Sequence, residues 1–128
     1  MKYLIDTHIL IWSTTDSQKL SVRAKAILSN PDNVCYFSAA SIWEIAIKRA
    51  RHPDMMPIPA NEARRLFLDA GYRELLVSSV HSAEVEGLPP IHSDPFDRML
   101  VAQAQVEGMR IATHDHVLPD YGDFIDKV

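Results

Sequence analysis

One cysteine, Cys35, stands in a chain of 128 residues. No disulfide can close within it, and a reducing cytosol is the compartment expected. In the run Val34-Cys35-Tyr36-Phe37 the thiol reads as a small buried hydrophobe. There is no CxxC pair, and His114-Asp115-His116 is too tightly spaced for a structural zinc finger. No apolar run is long enough to span a membrane. Met1 to Ile5 is too short for a signal peptide and stops at Asp6. The few glycines form no phosphate-cradling loop, and Ser41 lacks the setting of a nucleophile elbow. Excess positive charge is missing too: the net charge is -4 and the pI is about 5.8. That excludes coating of nucleic acid by bulk charge. It does not exclude a nuclease, because a metal ion reverses the local charge of an acidic pocket. No repeat, linker or low-complexity tract divides the chain, so residues 1–128 read as one domain.

Apolar residues make up 47% of the chain, enough to bury a core. Tyr3 to Ile5 reads as a short buried strand, followed by a helix carrying Ile9, Leu10 and Trp12. Ser21 caps a helix from Val22 to Leu28. Asn30 to Asn33 is a turn, and Val34 to Phe37 a second strand. Ser41-Ile42-Trp43-Glu44 matches a capping box that opens a helix to about Ala50. Prolines 53, 57 and 59 break the chain before a helix from about Ala60 to Ala70, which Gly71 ends. Glu74 to Val77 is a third strand. Ser79 or Ser82 caps a short helix that stops near Leu88-Pro89-Pro90. Asp94-Pro95 opens a helix to Gly108. Arg110 to Thr113 is a fourth strand, and Phe124-Ile125 marks a last one. The alternation predicts an α/β fold with a small, mostly parallel sheet and helices on both faces.

Four carboxylates occupy equivalent places in that pattern. Asp6, Glu44, Asp97 and Asp115 each lie where a strand ends or a helix begins. In an α/β sheet such positions converge at the carboxyl edge of the strands. Four acids there need a counter-charge, which a hard divalent cation with oxygen ligands supplies. Each acid has a plainer explanation. Asp6 can cap the following helix. Glu44 fits both the capping box and an ion pair with Lys48 four residues on. Asp94 is the natural cap of its helix, which leaves Asp97 at N3, along the buried stripe. Asp115 suits an Asx-turn. Thr113 is placed to hydrogen-bond a neighbouring carboxylate, and Thr7 and His8 add polar groups beside Asp6.

Lys48, Arg49, Arg51 and His52 complement a helix C-terminus. They would also serve as a basic rim for a polyanionic backbone, which Arg64-Arg65 and Arg23-Lys25 extend. His8 and His114 can contact phosphate or stand as ordinary polar loop residues. His81 and His92 read as turn and cap residues, and Trp12 and Trp43 as core.

The opening Tyr3-Leu4-Ile5-Asp6-Thr7-His8-Ile9-Leu10-Ile11-Trp12 resembles that of PIN domains. So do Ser38 to Lys48 (SAASIWEIAIK), Asp94 to Ala104 (DPFDRMLVAQA) and Ile111-Ala112-Thr113-His114-Asp115. All four blocks are similar to VapC-type toxins of bacterial toxin–antitoxin modules, in order and over nearly the whole chain. The resemblance implies a PIN-like α/β/α sandwich and a cytoplasmic ribonuclease dependent on Mg²⁺ or Mn²⁺. It places the catalytic acids at Asp6, Glu44, Asp97 and Asp115, with Asp6, Asp97 and Asp115 on the metal. Thr7, Asp94, Arg98, Thr113 and His114 are expected beside them or against substrate, with Lys48, Arg49 and Arg51 on the RNA rim. The resemblance also implies a homodimer and a small antitoxin that covers the site. Apolar faces around Trp12, Ala26, Ile27 and Ile45 are candidate walls for it. His114 departs from the arginine that many relatives carry before the last acid.

The expected reaction is hydrolysis of RNA by a metal-activated water, leaving 5′-phosphate and 3′-hydroxyl ends. The rival is a catalytically silent binding module whose acids are structural. A haloacid-dehalogenase-like phosphatase fits less well, since it needs an aspartate where His8 stands.

Overall fold

The structure, a computed structural model, describes residues 1–128. Five parallel strands form one sheet: β1 Lys2–Ile5, β2 Val34–Ser38, β3 Arg73–Leu75, β4 Arg110–Thr113 and β5 Ile125–Lys127. Their order is β3-β2-β1-β4-β5. Six α-helices connect and cover them: α1 Thr7–Thr15, α2 Val22–Ser29, α3 Ala39–Arg51, α4 Ala60–Asp69, α5 Ser79–Glu84 and α6 Pro95–Glu107.

Alternation along the strands builds a core on each face. Tyr3 and Ile5 of β1 point to one side, where they pack with Ile9, Leu10, Phe37, Ile45 and Phe67. Leu4 points to the other, among Leu100, Val101, Ile111 and Leu118. β4 divides in the same way, with Ile111 on the second side and Ala112 on the first. The predicted α/β sandwich is therefore present, and its sheet is wholly parallel.

The element boundaries differ from expectation at three places. α3 starts three residues early, at Ala39, with Ser38 as its cap in place of Ser41, accepting from Ala40 N–H at 3.0 Å. The cap falls where β2 ends, so the Ser41–Glu44 pattern is not a capping box. β3 covers Arg73–Leu75 rather than Glu74 to Val77. α5 is capped by Ser78, whose hydroxyl accepts from His81 N–H while His81 Nδ1 accepts from Ser78 N–H. Elsewhere the punctuation agrees. Ser21 caps α2, and Asp94 with Pro95 opens α6. Gly108 closes α6 at φ +67°, a left-handed conformation that glycine adopts without steric cost.

Candidate active site

The strand order changes direction at β1. From there the chain builds outward through β2 and β3, then returns to add β4 and β5 on the opposite side. Ligands of open α/β sheets bind in the crevice outside the carboxyl ends at such a point. Asp6 directly follows β1, and Asp115 lies two residues beyond β4. Between them sits a cavity of about 300 Å³. Its nine lining residues are Asp6, His8, Glu44, Lys48, His92, Asp94, Asp97, His114 and Asp115. None is hydrophobic, and five carboxylates face a single permanent cation, Lys48.

The strand ends hold two of these acids rigidly. Asp6 is buried and caps α1, accepting from His8 N–H at 3.2 Å. Thr113 Oγ1 donates to Asp6 Oδ2 and accepts from Asp115 N–H at 3.0 Å. One hydroxyl thus ties the acid after β1 to the backbone of the acid after β4, in the bonding role predicted for Thr113. Asp115 Oδ1 accepts from Val117 and Leu118 N–H at 2.7 and 3.1 Å, leaving Oδ2 toward the cavity side. Burial pushes its carboxyl up, but the His92 ring and those two amides outweigh it and hold Asp115 below its ordinary value.

Glu44 comes from the second turn of α3. It is buried, accepts from Thr7 Oγ1 at 2.7 Å and pairs with Lys48 Nζ. Burial lowers the Lys48 pKa, yet Glu44, Asp94 and Asp97 together keep it above normal. Lys48, expected on an outer rim, is therefore drawn into the acidic cavity. Arg49 is spent on the Met56 carbonyl at 2.7 Å, and of the three only Arg51 is an exposed residue. Arg23 of the suggested rim extension pairs with Asp126 instead.

α6 presents Asp94 and Asp97 as predicted. Asp94 Oδ1 accepts from Phe96 and Asp97 N–H at 2.8 and 3.2 Å, the work of a cap. Asp97 sits in the first turn with its side chain 16% exposed. Burial, then the charges of Asp6 and Asp94, raise its pKa from 3.8 to about 7. A carboxylate raised this far marks a desolvated pocket whose negative charges outnumber its cations. Carboxylate oxygens gathered in this way suit a hard divalent ion such as Mg²⁺ or Mn²⁺, whose binding would displace the proton. The donor set therefore fits the metal expected from the sequence, with Asp6, Asp97 and Asp115 converging on one cavity.

Two expectations need correction. His92 is no bland cap residue: its Nε2 lies 3.2 Å from Asp97 Oδ2 and 3.1 Å from Asp115 Oδ2. Burial opposes its protonation, but Asp115 and Asp97 hold the ring above its ordinary pKa. A signal was present, since His92 lies two residues before a cap aimed at the same sheet edge. Arg98, expected beside the acids or against substrate, turns the other way. Its guanidinium donates to the carbonyls of Val85 and Pro89 at 3.1 and 3.0 Å. His114 does line the cavity, and its ring packs edge-on against Trp12 with centroids 5.1 Å apart.

The proposed apolar walls also divide differently. Ile45 is fully buried in the core, Ala26 is exposed, and Trp12 and Ile27 are half-buried. Trp43, expected in the core, is 63% exposed. It borders an apolar groove of about 380 Å³ with Val77, Val85, Phe96 and Met99. Leu76 and Val80 are exposed as well. No helix is long and apolar enough to cross a membrane.

Residues 3–123 match the PIN domain family. No curated protein matches the sequence significantly. In fold the chain is similar to VapBC2 from Rickettsia felis, solved bound to a DNA fragment from their promoter. The TM-score is 0.69 at 12% identity, covering 100% of this chain and 99% of that one. It is also similar to a toxin–antitoxin complex from Klebsiella pneumoniae, with a TM-score of 0.63 at 18% identity over 98% and 96% of the two chains. At such identities the likeness is one of fold.

Proposed function

This chain belongs to the PIN domain family, and from that premise we propose that it is a metal-dependent endoribonuclease, the VapC-type toxin of a toxin–antitoxin pair. The observation that carries the reading is the five-carboxylate cavity at the β1–β4 crevice, with Asp97 raised to about 7. A silent module would gain nothing by retaining that electrostatic cost.

In this reading Asp6, Asp97 and Asp115 hold Mg²⁺ or Mn²⁺, with Glu44 as the fourth catalytic acid. When bound, the ion supplies positive charge for the phosphate and acidifies a water for in-line attack. The protein's own part is positional. Thr113 fixes Asp6 against Asp115, and Thr7 with Lys48 orients Glu44. Asp94 sets the start of α6 and with it the place of Asp97. His8 and His114 stand at the cavity, where a phosphate or base would pass. Arg51, with Arg64 and Arg65, is left as exposed charge for the RNA backbone.

The exposed apolar surface at Trp43, Leu76, Val80 and the adjoining groove supports a protein partner, either a second copy or an antitoxin. The names of the two structural neighbours, VapBC2 and a toxin–antitoxin complex, favour the same context. A cytoplasmic protein of one domain is the setting this reading requires.

The test is cleavage of labelled single-stranded and structured RNA by antitoxin-free protein, with Mg²⁺, Mn²⁺ or EDTA. Cleavage that needs metal, leaves 5′-phosphate ends and is lost in Asp6→Asn and Asp97→Asn supports the assignment. Full activity in either variant would sink it. Folded, metal-loaded protein that cuts no RNA would favour the binding module.

A further inference from the structure

We propose that His92 is a positioning residue of this site, one that clamps Asp97 and Asp115 through a protonated Nε2 and does not itself ligate the ion. The inference rests on the reading above, in which those two acids hold a divalent cation.

At first sight the geometry suggests a ligand. One donor atom each from His92, Asp97 and Asp115 falls within 4.8 Å of the others, a spacing that one metal ion could bridge. The far side of the ring decides otherwise. His92 Nδ1 accepts the backbone N–H of Asp94 at 3.0 Å. A neutral imidazole has one ring proton, and with the Nδ1 lone pair so engaged the proton is on Nε2. An imidazolium also carries a proton on Nε2. Only the tautomer protonated at Nδ1 alone would free Nε2 for a metal. That tautomer sets two N–H groups against each other across the 3.0 Å contact. Because Asp94 caps α6, its amide cannot turn away without disturbing the helix start. Nε2 therefore donates its hydrogen bond to Asp115 Oδ2 at 3.1 Å, with Asp97 Oδ2 beside it at 3.2 Å, within ion-pair range.

The ring is held from behind as well. His92 N–H donates to Tyr121 Oη at 2.9 Å, and Arg98 Nη1 donates to the same oxygen at 3.2 Å. Arg98 also grips the preceding loop by the carbonyls of Val85 and Pro89. The arginine missing from the substrate side thus secures the segment that presents His92. The clamp joins an acid on α6 to an acid after β4, two like charges that would otherwise repel. Groups that orient metal-ligating carboxylates in this way typically govern affinity by about 10–100-fold.

The experiment measures Mn²⁺ binding by electron paramagnetic resonance, with Mg²⁺ as competitor, on wild type, His92→Ala, His92→Gln and Asp97→Asn. Electron spin-echo modulation on the Mn²⁺-loaded wild type reports any nitrogen bound to the ion. His92→Ala should weaken both ions by about 10–100-fold and leave their ratio unchanged. His92→Gln should recover most of that loss, since its amide restores an N–H donor. The wild-type signal should show no coordinated imidazole that disappears on removing His92. A nitrogen coupling lost in His92→Ala, or a loss confined to Mn²⁺, would make His92 a ligand and overturn the proposal. Unchanged affinity for both ions in His92→Ala would overturn it too. The wild-type spectrum needs no variant, so an unstable mutant gives the idea no shelter. If wild type and Asp97→Asn bound Mn²⁺ equally weakly, the metal reading itself would fall, and the clamp with it.

Discussion

Replacing Asp97 by asparagine should make the metal-free protein more stable while removing its metal binding. Asp97 is raised from 3.8 to about 7 in the folded chain. Between those values the native state holds a proton that the unfolded state has released. The contribution of Asp97 to wild-type stability therefore falls as pH rises through this window and is level above it. The full cost above pH 7 is about 4 kcal/mol at ~1.4 kcal/mol per pH unit. Asparagine escapes it but forfeits the attraction between a carboxylate and the α6 N-terminus, worth about 0.3–1 kcal/mol. Water at the cavity mouth screens part of the remainder, leaving a gain of about 2–3 kcal/mol, or roughly 10 °C in Tm for a chain of this length. Thermal and urea unfolding in EDTA at pH 4, 6 and 8 would read it. The gain should be largest at pH 8 and shrink toward nothing near pH 4. Adding Mn²⁺ should raise the Tm of wild type at pH 8 and barely move the variant. Parallel pH curves for the two proteins in EDTA would refute the claim that Asp97 carries this charge strain.

Thr113→Val should cost about 1–3 kcal/mol, because Asp6 loses its buried donor and Asp115 N–H its acceptor; urea titration measures this, and a neutral result would deny the bridge its role. Ser38→Ala should cost about 1 kcal/mol through the α3 cap, whereas Ser41→Ala should not expose the helix start to fraying; hydrogen exchange at Ala40 separates the two. Trp43→Ser should leave unfolding unchanged within ~0.5 kcal/mol and abolish any self-association seen by analytical ultracentrifugation at micromolar protein. Retained dimers in that variant would point to a different face.

Much of the frame was readable in advance because it depends on local chemistry. Asp94-Pro95 and Gly108 bracket α6 through backbone constraints that act within a few residues, and the apolar runs around Leu4 and Ile111 mark buried parallel strands. The positions of Asp6 and Asp115 followed from those strands. What escaped notice depends on distant parts of the chain. The Ser41–Glu44 pattern looked like a complete capping box; Ser38 caps α3 instead, because β2 pairs with β3 as far as that residue. The place of His92 before the Asp94 cap hints at the sheet edge, but only the fold brings Asp115 to 3.1 Å from its ring. Lys48 looked like a surface partner of Glu44, and only the convergence of α3 and α6 brings it among the acids. Trp43 looked like core because its neighbours are apolar, yet it faces a groove that no part of this chain fills.

The central place of β1 gives the order of synthesis a meaning. The first strand made has to wait for the fourth to cover its second edge, since β4 alone pairs with that side. A ribosome-bound chain that has emerged only through α5 carries Asp6 and Glu44 but neither Asp97 nor Asp115. During that interval the acid set is half assembled and the central strand shows an open edge, a form prone to wrong pairing. Docking of β4 closes the edge and delivers the last acid in one event. A chain cut short before β4 therefore lacks the complete acid set and leaves one edge of β1 unpaired.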